Sequence, residues 1–209
     1  LNDLPIIQTM IDFVEADDVI AYVAQHKKYE EWEKVIVSSD KDFFQLISKD
    51  CKLYRPIQKE LVDYPGLIEK FSIHPKNFAL ARSLVGDKSD NLEGVKGLGL
   101  KTVAKRFPFL SENKDYGLED ILTHAENNKN KVKAFQKVLE SKDIIASNYE
   151  IMQLYTTVIS PQGVRKLKYA IENDGVDLNR TKIRTMLLKD GIGTLNVDEL
   201  MLMLNSHRK

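Results

Sequence analysis

Three groups of acidic side chains hold the residues of this 209-residue sequence best suited to chemistry. They are Glu15-Ala16-Asp17-Asp18, Asp40-Lys41-Asp42 and Asp87-Lys88-Ser89-Asp90. Glu15 and Asp18 fall on one face of a predicted helix, where like charges repel unless a cation lies between them. Asp40 and Asp42 follow the apolar run Val35-Ile36-Val37, at the carboxyl end of a predicted strand, where open α/β folds place their ligand crevice. Asp87 and Asp90 stand just ahead of a glycine-rich turn. Hard oxygen ligands with no accompanying His or Cys cluster favour Mg²⁺ or Mn²⁺ over zinc. Two such ions about 3.5–4 Å apart activate water and stabilise the leaving oxygen in phosphodiester hydrolysis. Each group also has a plainer reading. Acids at helix starts are usually caps, and Asp40 is placed to cap a helix predicted over Phe43–Ile47. Three groups in one chain, one of them at a strand end, favour the metal site.

A second constellation follows the third acid group. Gly94-Val95-Lys96-Gly97-Leu98-Gly99 runs into Lys101-Thr102-Val103-Ala104-Lys105-Arg106-Phe107. Glycines at this spacing permit a tight hairpin whose backbone N–H groups approach a phosphate closely. The start of the next helix adds partial positive charge, and Lys101, Lys105 and Arg106 add full charges. Such contacts hold a nucleic-acid backbone without reading its sequence. The spacing G-x-x-G-x-G, with no apolar strand leading into it, excludes a dinucleotide-binding fingerprint.

These residues need elements to position them. The stretch Glu15 to about Lys28 carries a helical apolar stripe at Val19, Ile20, Val23 and Ala24. Val35–Val37 reads as a short strand buried on both faces, as in a parallel sheet. A helical pattern over 43–47 and a second strand beginning at Cys51 complete a helix–strand alternation, the mark of an α/β layer. After Pro56 the pattern turns helical over 64–71, 76–85, 101–107 and most of 127–145. Residues 149–158 read as an extended piece, and two short helices over 181–191 and 197–207 finish the chain. The expected organisation is an α/β core in residues 1–75 and a helical DNA-binding subdomain with a helix–hairpin–helix motif in residues 76–209.

Charge supports that division. The chain is formally neutral, yet residues 1–93 hold 12 Lys+Arg against 17 Asp+Glu, and residues 94–142 hold 10 against 6. An acidic part beside a basic one suits a metal-collecting site next to a phosphate-binding surface. The lysines from Lys129 to Lys137 are either a solvated face or a further nucleic-acid contact. No apolar run reaches the ~18 residues of a membrane span. The single cysteine, Cys51, rules out an internal disulfide, reads as a small buried hydrophobe and points to the cytoplasm. Trp32 reads as a packing or surface residue. His26, His74, His124 and His207 have no ligand spacing and are assigned no role.

The stretch LARSLVGDKSDNLEGVKGLGLKTVAKRF, with VEADDVIAYVA and VIVSSDKDFFQLIS ahead of it, resembles three blocks of the flap endonuclease/5′–3′ exonuclease superfamily. That superfamily includes the amino-terminal nuclease domain of DNA polymerase I and phage-type ribonuclease H. The segment NRTKIRTMLLKDGIGTL is similar to the tail of the phage-type ribonuclease H, which also suggests a phage source, with host cytoplasm as its location. The resemblance implies an α/β fold, a PIN-like or resolvase-like nuclease core with part of a central sheet, followed by a helix–three-turn–helix subdomain. It implies that Glu15, Asp17, Asp18, Asp40, Asp42, Asp87 and Asp90 bind two or more Mg²⁺ ions, with Mn²⁺ able to substitute, and that Asp40 and Asp42 are catalytic. It implies that Gly94, Lys96, Gly97, Gly99, Lys101, Thr102, Lys105 and Arg106 hold the nucleic acid, with a K⁺ ion at the hairpin. The implied activity is a 5′–3′ exonuclease or flap endonuclease acting on DNA flaps, duplexes or RNA–DNA hybrids during replication, in the company of replication proteins.

Family members begin with a strand bearing an essential aspartate and continue into a basic helical arch. Neither precedes Glu15, so the expectation is a catalytically incomplete piece of such an enzyme. Two further readings stay open from the sequence: a non-catalytic nucleic-acid-binding protein, and one half of a split nuclease. The intact acid groups weigh against a pure binder, which has little use for uncompensated carboxylates beside phosphate.

Overall fold

The computed structural model describes residues 6–173 and 179–206; His207, among the histidines considered above, lies outside them. The contacts gather the chain into two compact units. One comprises Glu15–Val158, and the other Leu1–Val14 with Ile159–Lys209. The division expected at residue 75 falls inside the first unit.

In that unit, α1 (Ala16–Ala24) leads to a sheet of three short strands, β1 (Lys34–Val37), β2 (Cys51–Arg55) and β3 (Glu60–Val62). The strands lie in sequence order, β1 parallel to β2 and β2 antiparallel to β3. The expected first helix, which was to run to about Lys28, ends at Ala24, so its last four residues lie outside α1. His26 is extended, and its Nδ1 accepts from Lys28 N–H to start a separate 3₁₀ turn, Lys27–Tyr29. The expectation that β1 is buried on both faces is corrected too. Ile36 is buried, whereas Val35 and Val37 are 50% and 65% exposed, because alternate side chains of a strand point to opposite faces.

The β1–β2 connection carries the 3₁₀ turn Asp42–Leu46, whose Phe43, Phe44, Gln45 and Leu46 are all buried. Phe44 meets Phe71 at 5.4 Å and Phe78 at 5.1 Å between ring centroids, and Phe71 meets Phe78 at 5.4 Å. This trio joins the turn to α2 (Tyr64–Phe71) and α3 (Phe78–Val85). Every residue of α3 from Phe78 to Leu84 is buried, so α3 is the central rod of the unit.

On α3 pack α4 (Leu100–Arg106) and α7 (Lys142–Met152), while α5 (Leu118–Asn128) packs against α6 (Lys133–Glu140) and α7. The piece expected to be extended is therefore helical as far as Met152. The buried side chains of α7, Ile145, Asn148 and Met152, lie three and four residues apart on the face that a helix presents to a neighbour. The second unit contains α8 (Pro161–Glu172), α9 (Arg180–Lys189) and α10 (Val197–Ser206). Within it Lys166 Nζ donates to the Met10 carbonyl at 2.7 Å, and Arg180 pairs with Asp198. No described helix is long and apolar enough to cross a membrane.

One buried amide links α7 to the loops that matter below. Asn148 Nδ2 donates to the Ser83 carbonyl at 3.0 Å and to the Glu93 carbonyl at 2.8 Å. Asn148→Ala would leave both acceptors without this donor, at a cost of about 2 kcal/mol. Urea denaturation is expected to show that loss as a lower midpoint with an unchanged slope.

Candidate active site

β1 ends by donating Ser38 N–H to the Tyr54 carbonyl at 3.0 Å, and the chain then turns through the second acid group. Asp40 N–H donates to Ser38 Oγ at 3.1 Å, and Asp42 N–H donates to Asp40 Oδ1 at 2.8 Å. Asp40 thus braces the first residue of the 3₁₀ turn with one oxygen, while the cap position itself is taken by Lys41. Glu15 sits at the cap position of α1 but its side chain accepts no capping hydrogen bond. Neither acid therefore serves as the side-chain cap that the plainer reading expects.

The first two acid groups face each other. Asp17 is raised from its ordinary 3.8 to about 6, first by burial and then by the charges of Asp40, Asp42, Glu15 and Asp18. Such a shift marks carboxylates gathered without compensation. Asp42 is also raised, chiefly by burial, although the Arg82 guanidinium opposes the rise.

Arg82, in the middle of α3, is 4% exposed and carries the charge that reaches the third acid group. Its Nε donates to Asp42 Oδ1 at 3.1 Å, and its second terminal nitrogen pairs with Asp87 Oδ2. Asp87 Oδ1 accepts from Ser89 N–H at 2.8 Å and from the Ser89 hydroxyl. Burial works against ionisation of Asp87, but the bonds from Ser89 and Arg82 outweigh it and hold the group at about 2. One arginine therefore has two partners that titrate in opposite directions. Asp42 is the more deeply buried and stands beside Asp40, whereas Asp87 has the Ser89 donors. Asp90, in the same loop, is exposed.

The donor set fits a hard divalent cation: every member is a carboxylate, and Asp17 is desolvated among unpaired neighbours. Among the described residues no three His, Cys, Asp or Glu side chains converge closely enough to hold an ion as they stand. Mutual repulsion spreads such carboxylates, and one oxygen of Asp42 and one of Asp87 are engaged by Arg82.

The hairpin lies beyond the third group. Asp87 and Leu92 pair as an antiparallel bridge, Val95 N–H donates to the Leu84 carbonyl at 2.9 Å, and Leu98 N–H donates to the Val95 carbonyl at 3.0 Å. Val95 and Leu98 are buried anchors, while Lys96, Gly97 and Gly99 are exposed at the tip. Gly97 takes φ +91°, which a side chain disfavours. Gly94 is required for another reason, because a Cβ there would lie 1.9 Å from the Val85 carbonyl oxygen. Lys101 and Lys105 are exposed on α4, with Thr102 and Arg106 half-buried beside them. Lys137, from α6, donates to the Lys96 carbonyl at 3.1 Å.

The sequence model of the 5′–3′ exonuclease N-terminal resolvase-like domain matches residues 1–72. DNA polymerase I of Rhizobium leguminosarum is 31% identical over 156 residues, covering 75% of this chain and 15% of the relative. A 5′–3′ exonuclease of Aquifex aeolicus is 34% identical over 145 residues, covering 68% of this chain and 46% of that protein. These matches support a likeness to the 5′–3′ exonuclease superfamily. The chain spans less than half the length of either relative. Among solved structures, the 5′-exonuclease of bacteriophage T5 with bound divalent metal ions superposes with a TM-score of 0.65 at 20% identity, over 80% of this chain and 62% of that one. The T5 flap endonuclease in a complex with DNA and metal ions gives 0.63 at 20% identity, over 79% and 60%. At that identity the match shows the fold, a resolvase-like nuclease fold.

The sequence reading missed Arg82. A lone arginine amid Leu80, Ala81, Leu84 and Val85 was its only signal, since a charge inside an apolar helix must find partners. The remaining histidines are structural. His74 is buried, accepts from Lys76 N–H and is lowered by that burial, and His124 packs among Phe107, Phe109 and Phe135. Cys51 is buried, which pushes its thiol up. Trp32 is exposed against Tyr29.

Asp17 and Asp87 pull stability in opposite directions with pH. Asp17 binds its proton more tightly folded than unfolded, so its charge opposes folding at neutral pH and is relieved as pH falls through about 6. Asp87 is the reverse: its contribution is present above its ordinary 3.8 and lost as pH falls towards about 2. Asp17→Asn is expected to stabilise the EDTA-treated protein at neutral pH by about 1 kcal/mol, after discounting for the part of the side chain that water reaches. Urea titrations are expected to show the gain shrinking between about pH 7 and about pH 5.

Proposed function

We propose that this chain acts in metal-dependent 5′–3′ exonuclease or flap endonuclease chemistry, hydrolysing phosphodiester bonds at 5′ ends or flaps of replication intermediates. The observation that carries the proposal is the gathering of Glu15, Asp17, Asp18, Asp40 and Asp42 around one desolvated carboxylate at the carboxyl end of β1. Carboxylates left uncompensated beside a nucleic-acid surface disfavour a purely binding role, because they repel phosphate unless cations intervene.

Asp17, Asp40 and Asp42, with Glu15 and Asp18 around them, would hold two or more Mg²⁺ ions, for which Mn²⁺ substitutes; Asp87 and Asp90 complete the proposed set. Ions bound there supply an activated water and neutralise charge at the leaving oxygen. The chain's own residues do the positioning. The buried 3₁₀ turn fixes Asp42, and Asp40 braces that turn from the strand end. Gly94, Lys96, Gly97, Gly99, Lys101, Thr102, Lys105 and Arg106 hold the duplex backbone, with K⁺ at the hairpin a further part of the proposal. Residues 1–75 then serve as the nuclease part and residues 76–209 as the helical DNA-binding part. DNA flaps, duplexes and RNA–DNA hybrids are the proposed substrates, in the cytoplasm and among replication proteins.

The test is cleavage of a 5′-labelled flap duplex and of an RNA–DNA hybrid with Mg²⁺ and then with EDTA. Metal-dependent cutting is expected, lost in Asp40→Asn and Asp42→Asn while duplex binding persists. Retained cutting in both variants overturns the assignment of these acids. Lys105→Ala is expected to weaken duplex binding equally across sequences, and to lessen the slope of log affinity against log salt by about 1.

A further inference from the structure

Resting on the metal-site reading above, we propose that Arg82 is a positioning residue with a second property: it is a built-in counter-cation that competes with divalent ions for Asp42 and Asp87. Arg82 touches no reacting group in this arrangement. It acts through the two acids it holds.

The geometry makes the competition specific. Asp42 lies on the turn after β1 and Asp87 in the loop after α3, and the Arg82 fork bridges them, Nε on one and a terminal nitrogen on the other. Both oxygens of Asp87 are already engaged, one by Arg82 and the other by Ser89. A divalent ion that approaches Asp87 therefore meets oxygens whose charge these donors already share. Asp42 has given Oδ1 to Arg82. Glu15, by contrast, accepts no capping hydrogen bond at the start of α1. An arriving ion thus meets an uneven set, in which Asp42 and Asp87 already share one positive charge.

The guanidinium cannot readily step aside. Its stem rises from α3, whose residues from Phe78 to Leu84 are all buried, and its side chain is 5% exposed. A charge so placed stays with its carboxylates, because leaving them strands it in a low-dielectric interior. Arginine suits the position better than lysine. Its planar fork addresses two carboxylates at once, whereas an ammonium is a single point charge. The consequence is a site that stays folded without divalent ions and takes them up less tightly than its carboxylates alone would.

The experiment titrates Mn²⁺ into the whole 209-residue chain and into Arg82→Gln, without nucleic acid, by calorimetry, and measures thermal unfolding of both with and without Mn²⁺. Arg82→Gln is expected to bind Mn²⁺ about fivefold more tightly or better. Its unfolding midpoint is expected to be lower without Mn²⁺ and to rise further on adding it than that of the parent chain. An ordinary structural ion pair would lower the midpoint equally in both conditions and leave Mn²⁺ affinity unchanged, and that result overturns the inference while leaving the metal site standing. Weaker Mn²⁺ binding by the variant overturns it likewise. Absence of uptake by both proteins overturns the inference and the metal-site reading together. If Arg82→Gln does not fold, Arg82→Lys is titrated the same way. Its poorer bridging predicts tighter Mn²⁺ binding than the parent, and equal or weaker binding overturns the inference.

Discussion

Repulsion among carboxylates at one end of a small sheet is the constraint under which the rest of the first unit is built. Burial, and after it the charges of Asp40, Asp42, Glu15 and Asp18, raise Asp17 to about 6. Nothing in a helix start or a strand end would hold them there unaided. The holding force comes from apolar burial directly behind the acids. Phe43 and Phe44 follow Asp42 immediately and are 1% and 0% exposed. Burying side chains of that size is worth about 1.5–3 kcal/mol each, enough to outweigh local repulsion of partly solvated charges. Gln45 then ties the turn to the end of α7 through the Met152 carbonyl and the Leu154 N–H. The acids stand where they do because their neighbours in sequence are core.

The nucleic-acid side is built on the same central helix. α3 delivers Arg82 to the acids from its middle and, at its end, accepts Val95 N–H on the Leu84 carbonyl. Asn148 spans the carboxyl end of α3 and the start of the hairpin with one amide. The close crossing at Gly94 and Val85 leaves no room for a side chain. Hairpin and acid site are therefore fixed to one rod rather than to each other. In the proposed function, a rigid common support would let backbone contacts on the hairpin set the position of a phosphate at the acids.

Much of this arrangement was legible in the residues. Asp40 and Asp42 after Val35–Val37 announced the end of a strand, and the structure places them there. The glycine spacing announced the hairpin, and the 5′–3′ exonuclease domain match over residues 1–72 spans the first two acid groups. Other elements were misread for physical reasons. A short apolar run does not say whether one face or both will be covered, so the exposure of Val35 and Val37 escaped the reading. The segment from Tyr149 reads as extended by its apolar content, yet packing of Asn148 and Met152 continues α7 through Met152. Local preference gave way to tertiary burial, as it does when the competing propensities differ little.

By itself, then, the sequence determined the kinds of group available and their order along the chain: hard oxygen ligands in three clusters, a glycine hairpin and a basic helix after it. Residue type and short-range spacing suffice for that, because both are properties of the local chain. Which carboxylates meet, and what lies between them, was decided only by the tertiary structure. Asp17 is desolvated by segments distant in sequence, and Asp42 and Asp87 share one arginine from the middle of a buried helix. Charges act through space rather than along the chain, so their balance is settled where helices and strands pack.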